Sequence, residues 1–157
     1  MKLGIEHSRN WRILAVGVVL FILCGPSLLS AEDSAVKQLK DRVANAKVVD
    51  RPPLCLQIAE RQLATVNKLF DAGDLEQAKT ALTDVVSFSE LARDYSIQTH
   101  KHEKQSEITI RRMTRKLADL KHAVTHEEQQ QVQTTIERLD RIRDDLLVAM
   151  FPKVGKK

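Results

Sequence analysis

The sequence predicts an all-α fold, and three observations carry that expectation. Apolar residues recur at spacings of three and four along most of the chain, the period that places them on one face of a helix. Glycine and proline, which interrupt helices, number only 5 and 4 in 157 residues, and neither occurs between Asp74 and Phe151. Two segments carry the capping-box pattern, a side-chain oxygen followed three residues later by Gln or Glu: Asp74 with Gln77, and Thr125 with Glu128. The scarcity of glycine and proline excludes a collagen-like or Pro/Gly-rich chain, and 2 cysteines are too few for a disulfide-knitted miniprotein. The length allows one modest domain.

The chain opens with the order of an export signal. Lys2, Arg9 and Arg12 precede the apolar stretch Ile13 to Cys24, and Gly25, Pro26 and the small residues Ser27, Ser30 and Ala31 follow. That stretch falls well short of the roughly 20 residues a helix needs to cross a bilayer. The expectation is therefore a signal peptide over 1–31, cut after Ser30 or Ala31, no stable membrane span afterwards, and a periplasmic or secreted location in a bacterium. Cys24 stands where a lipoprotein would carry its lipid, but Leu23 before it is larger than the Gly, Ala or Ser such a site uses.

Without that segment, the 25 basic and 21 acidic side chains lose three and one respectively, which leaves a net charge of about +2. Such a balance gathers no nucleic acid. The remaining rings, Phe70, Phe88, Tyr95 and Phe151, make no stacking platform for single strands.

Each helix has its own warrant. Val36, Leu39, Val43 and Ala46 mark a short helix over 35–49, within an N-terminal helix and linker at 32–52. Pro53 opens the next, 53–71, with the stripe Leu56, Ala59, Leu63, Val66 and Phe70, and Asp71, Ala72 and Gly73 close it. Asp74 caps a third helix whose face runs through Leu75, Ala78, Leu82, Val85, Ala92 and Tyr95. From Ser96 to Glu107 the apolar stripe nearly vanishes, then returns at Ile110, Met113, Leu117, Leu120 and Val124. With no breaker residue, the pattern favours one helix over 75–124, although a bend near 98–106 is the alternative. The last helix, 126–150, carries Val132, Ile136, Leu139, Leu146 and Met150, and a basic tail, 152–157, follows. The expected architecture is thus a pair of antiparallel hairpins sharing a long central helix: an extended three-helix coiled-coil rod if that helix is continuous, a compact four-helix bundle if it bends.

The turn Gly73, Asp74, Leu75, Glu76, Gln77 and Ala78, with the helix running on to Leu82, resembles the turn and second helix of a tetratricopeptide repeat, so residues 59–92 are similar to one such hairpin. Gln62 and Val66 depart from that family's first helix, and no second copy follows at its 34-residue interval. A single unit cannot bury its own face, so the resemblance implies no repeat array. Taken whole, the chain resembles small secreted helical proteins of bacteria, a resemblance that implies no activity.

Candidate chemistry is sparse. His122 and His126, four apart with Asp119 a turn before, have the spacing of metal ligands on one helix face. Thr125 caps a new helix between them, which favours reading them as a polar helix end, and His100 with His102 have a poorer spacing still. Cys55 lies in a helical first turn, where the readings are a small core residue, a link between chains through its unpaired thiol, or a reactive thiol for redox chemistry or metal. Arg111, Arg112, Arg115 and Lys116 form a basic stripe suited to an acidic partner, phosphate or lipid headgroups. Hairpin pairing sets Arg111 near Asp140 and Arg115 near Glu137, so most of that stripe is expected to be answered within the protein. No nucleophile triad, apolar carboxylate pair or Gly-rich phosphate loop occurs, and no cofactor is expected. The function expected is therefore non-enzymatic contact with a protein partner or with a second copy, as a scaffold or spacer. A small-ligand or metal-binding bundle, and weak binding to anionic surfaces, are the alternatives.

Overall fold

A computed structural model describes residues 27–152, with side chains from Ser34 onward. The described residues fall in two units, one up to Ala35 and one from Val36 onward. The export segment expected over 1–31 lies outside the described residues, apart from the first residues of α1, as does the basic tail after Pro152. Within them the fold is all-α: α1 Ser27–Asn45, a 3-10 turn Val48–Asp50, α2 Arg51–Asp71, α3 Leu75–Thr99, α4 Glu103–Lys121 and α5 His126–Met150.

Local chemistry sets most of these bounds. α1 stops at Asn45, short of the expected Val49, because the 3-10 turn takes over and Arg51 Nε donates to the Ala46 carbonyl at 3.1 Å, folding the chain back. Pro52 and Pro53 sit in the first turn of α2, where a missing N–H costs nothing. α2 ends on Gly73 at φ +73, a conformation that favours glycine, and the Asp74 N–H reaches back to the Leu69 carbonyl at 2.9 Å. Asp74 then caps α3 by accepting from the Gln77 N–H at 3.2 Å. The reciprocal half of that box differs from expectation, since the Gln77 side chain donates to the Asp74 carboxylate at 2.6 Å rather than to its backbone. At α5 the Glu128 carboxylate accepts from both the Thr125 N–H, at 2.7 Å, and the Thr125 hydroxyl, at 2.8 Å.

The favoured continuous helix over 75–124 is not what the structure contains. α3 stops at Thr99 and α4 starts at Glu103, with His100 at φ 51 and His102 at φ 64, both left-handed. The physical reason is burial. A straight helix would carry the apolar face that resumes at Ile110 away from the first hairpin. Reversing the chain brings Ile110, Met113 and Leu117 into one core with Leu63, Val66, Leu82 and Val85. The polar waist itself contributes a fully buried pair, Ser96 and Ser106, whose hydroxyls lie 3.0 Å apart across the turn.

The result is a bundle of two helical hairpins, α2–α3 and α4–α5, packed side by side. α2 lies next to α4 and α3 next to α5. Cross-hairpin partners stand at a steady offset of 48 to 52 residues, as in Glu60 with Arg112, Glu90 with Arg138 and Arg93 with Asp145. Glu90 and Arg93 of α3 advance together with Arg138 and Asp145 of α5, so these helices run parallel, and because each hairpin is antiparallel α2 and α4 do as well. Val36 and Leu39 of α1 join Leu54 and Ile58 of α2 in a smaller cluster at the side of the bundle, bridged to the main core through Val43 and Phe88. Lys40 reinforces this seam by meeting Asp84 at 3.3 Å and lying over the Phe88 ring. No helix among the described residues is long and apolar enough to cross a membrane.

Candidate functional site

Each side chain singled out by its sequence setting has a definite place. Cys55 projects from the start of the second turn of α2 into the main core and is fully buried. Burial pushes its thiol up to about 11, against a smaller opposing pull from the Arg51 charge. A link between chains through Cys55 is thereby corrected: the sulfur is out of reach of a second molecule, and a thiol that holds its proton is a poor nucleophile. Its role is packing.

His122 and His126 are both exposed, on either side of the turn between α4 and α5. The turn breaks the helical register that would have aligned their rings. No group of three His, Cys, Asp or Glu side chains among the described residues is placed to hold a metal ion. His100 pairs instead with Glu103, Nδ1 to Oε1 at 3.5 Å.

The basic stripe is partly answered, though not by the partners that simple hairpin pairing names. Arg112 reaches across to Glu60 on α2. Arg111 stands 3.7 Å from Glu107 on its own helix, and the same carboxylate accepts from Arg143 Nε at 3.0 Å. Asp140 belongs to Arg143, at 4.0 Å, rather than to Arg111. The expected pairing assumed that α5 alone flanks α4; α2 flanks it as well and takes Arg112. Arg115 and Lys116 make no ion pair among the described residues, and both are exposed.

Lys116 also forms one wall of a groove of about 310 Å³ between α2 and α4. Leu63 and Leu120 supply its apolar floor, Ala64 and Ala123 keep its rims low, and Asn67 and Asp119 offer hydrogen bonds. Charge is unevenly distributed between the two helices of the α4–α5 hairpin. α4 carries six Lys or Arg against three Asp or Glu, whereas α5 carries three against six. The opposite face has a groove of about 510 Å³ between α3 and α5, but its charges neutralise one another. There Glu90 meets Arg138 at 3.0 Å and Arg93 meets Asp145 at 2.9 Å. Partial burial alone would ease the proton off Arg93; hydrogen bonds and charge from Asp94 and Asp145 outweigh it and hold the guanidinium above its ordinary value. The α2–α4 groove was not legible in the sequence, because it depends on which helix lies beside α4.

Compared with protein-family models, with curated proteins and with solved structures, the chain shows no significant match to any of them.

Proposed function

We propose that the protein is an exported, non-enzymatic contact protein whose α2–α4 face receives an acidic segment of a protein partner. The observation that carries this reading is the groove itself. An apolar floor of Leu63 and Leu120 lies under Lys116, a cation with no ionic partner among the described residues, on the helix with the largest basic excess of those described. Arg115, next to it in sequence though not a lining residue of the groove, is also exposed and makes no ion pair among the described residues. Floor and rim together suit an amphipathic segment that presents apolar side chains inward and carboxylates outward. Charge at the rim acts mainly on the rate of encounter, so the complex is expected to weaken as salt rises. Export rests on the charged, apolar and small-residue order of the first 31 residues.

The test is fluorescence anisotropy with a labelled amphipathic peptide of Leu and Glu, set beside titration with vesicles rich in anionic lipid. Saturable peptide binding that falls about tenfold or more in Lys116→Glu with Arg115→Glu supports the proposal, each reversal being worth about 1 kcal/mol. Peptide binding indifferent to those substitutions, or binding to vesicles alone, overturns it.

A further inference from the structure

We infer that the chain can exchange its α4–α5 hairpin with that of a second copy, by straightening the α3–α4 link into continuous helix. Little in the backbone of the link itself holds it bent, although the Ser96–Ser106 hydroxyl pair spans it at 3.0 Å. Helix reversals commonly rely on glycine for left-handed backbone, as Gly73 does here at φ +73, yet His100 and His102 adopt φ 51 and 64 with full side chains. Its hydrogen bonds are long, 3.4 Å from the His100 N–H to the Ile97 carbonyl and 3.3 Å from the Lys101 N–H to the Ser96 carbonyl. The Glu103 carboxylate beside it has a buried Oε1 that accepts no hydrogen bond among the described residues, His100 Nδ1 standing 3.5 Å away. No local residue opposes straightening, because Gly73 and Pro152 bound a stretch free of both breakers.

Straightened, Leu75 to Lys121 forms one helix about 70 Å long. The hairpins of one molecule then lie too far apart to cover each other, and Ile110, Met113 and Leu117 need a new partner. A second copy presents the identical α2–α3 surface that those residues already fit. Every buried contact between hairpins re-forms between copies, including Ser96 with Ser106 and Glu60 with Arg112. Relief at His100 and His102 is added without removal of any part of the core. The exchange stands apart from what the α2–α4 groove binds, although each groove of the dimer would take Leu63 and Ala64 from one molecule and Lys116 and Leu120 from the other.

The experiment mixes two full-length variants, Ser96→Cys and Ser106→Cys, unfolded together and refolded at low and at high concentration under mild oxidant. Both positions are fully buried, so contact between outer surfaces cannot join them. The expected result is a heterodimer, by light scattering, whose chains are joined between positions 96 and 106 by peptide mapping, its yield rising with concentration. Hinge chemistry gives a second reading. His100→Gly with His102→Gly suits the bend and disfavours the helix, whereas His100→Ala with His102→Ala does the reverse, so the dimer fraction is expected to differ at least about tenfold between them. Monomer at every concentration, a dimer without the 96–106 link, or equal dimer in the glycine and alanine pairs would each overturn the inference.

Discussion

The Ser96 and Ser106 pair makes a quantitative prediction about what holds the two hairpins together. Both residues are fully buried, and each hydroxyl has the other at 3.0 Å. Ser96→Ala or Ser106→Ala removes one member and strands the other in apolar surroundings, a desolvation worth about 1–3 kcal/mol. A stranded serine on a helix can turn to the carbonyl four residues back, as Ser89 does toward Val85 at 2.7 Å. Each single substitution is therefore expected near the lower end, about 1–1.5 kcal/mol. The double variant has no orphan and gains up to about 0.5 kcal/mol of helix propensity at each position. It should cost no more than about 1 kcal/mol in all, which makes the pair coupled by about 1–2 kcal/mol. Urea denaturation followed by far-ultraviolet circular dichroism measures all four corners of this cycle, and each single variant should melt about 3–6 °C lower. Costs that add to within about 0.3 kcal/mol would refute the reasoning, since independent sites behave that way.

Three further outcomes follow from the core and the caps. Cys55 should resist alkylation in the native protein and react once it unfolds. Its folded value of about 11 lies above the ordinary thiol value near 9.0, so the folded state keeps a proton that the unfolded chain gives up. The thiol's contribution to stability is then at its full value below about pH 9 and falls by at most about 3 kcal/mol as pH rises toward 11, a share that Cys55→Ala should remove from denaturation curves taken across that window. Glu128→Ala removes the acceptor of both the Thr125 N–H and its hydroxyl, and should cost about 1 kcal/mol by thermal melting, with Glu128→Gln recovering part of it.

Much of the fold could be read from residues alone, and for local reasons. Apolar spacing fixes the face of a helix, and Gly73, Asp74 and Thr125 supply terminal chemistry that acts within a few residues, so the turns between α2 and α3 and between α4 and α5 fall near their expected places. Little of the candidate site was readable in the same way. The stripe Arg111, Arg112, Arg115 and Lys116 is visible as a run of charge, but the identity of its partners is a property of neighbours far along the chain. Glu60 lies 52 residues from Arg112, and no periodicity within α4 encodes that pairing. Cys55 illustrates the converse: its position beside a stripe suggested packing, yet only the surrounding helices remove it wholly from solvent.

By itself, then, the sequence determined an all-helical chain and where most of its helices begin and end, because periodicity and capping are short-range effects that each segment carries within itself. The bend at His100 to His102 was decided only by tertiary structure. Local propensity over Ser96 to Glu107 favours continuing the helix, and two left-handed histidines are the cost of not doing so. That cost is outweighed by burying the α4–α5 hairpin against α2–α3, a gain shared by Ile110, Met113, Leu117, Leu139 and Leu146 and invisible to any window short enough to be local. The α2–α4 groove follows from the same choice, since those helices become neighbours only once the chain has turned back.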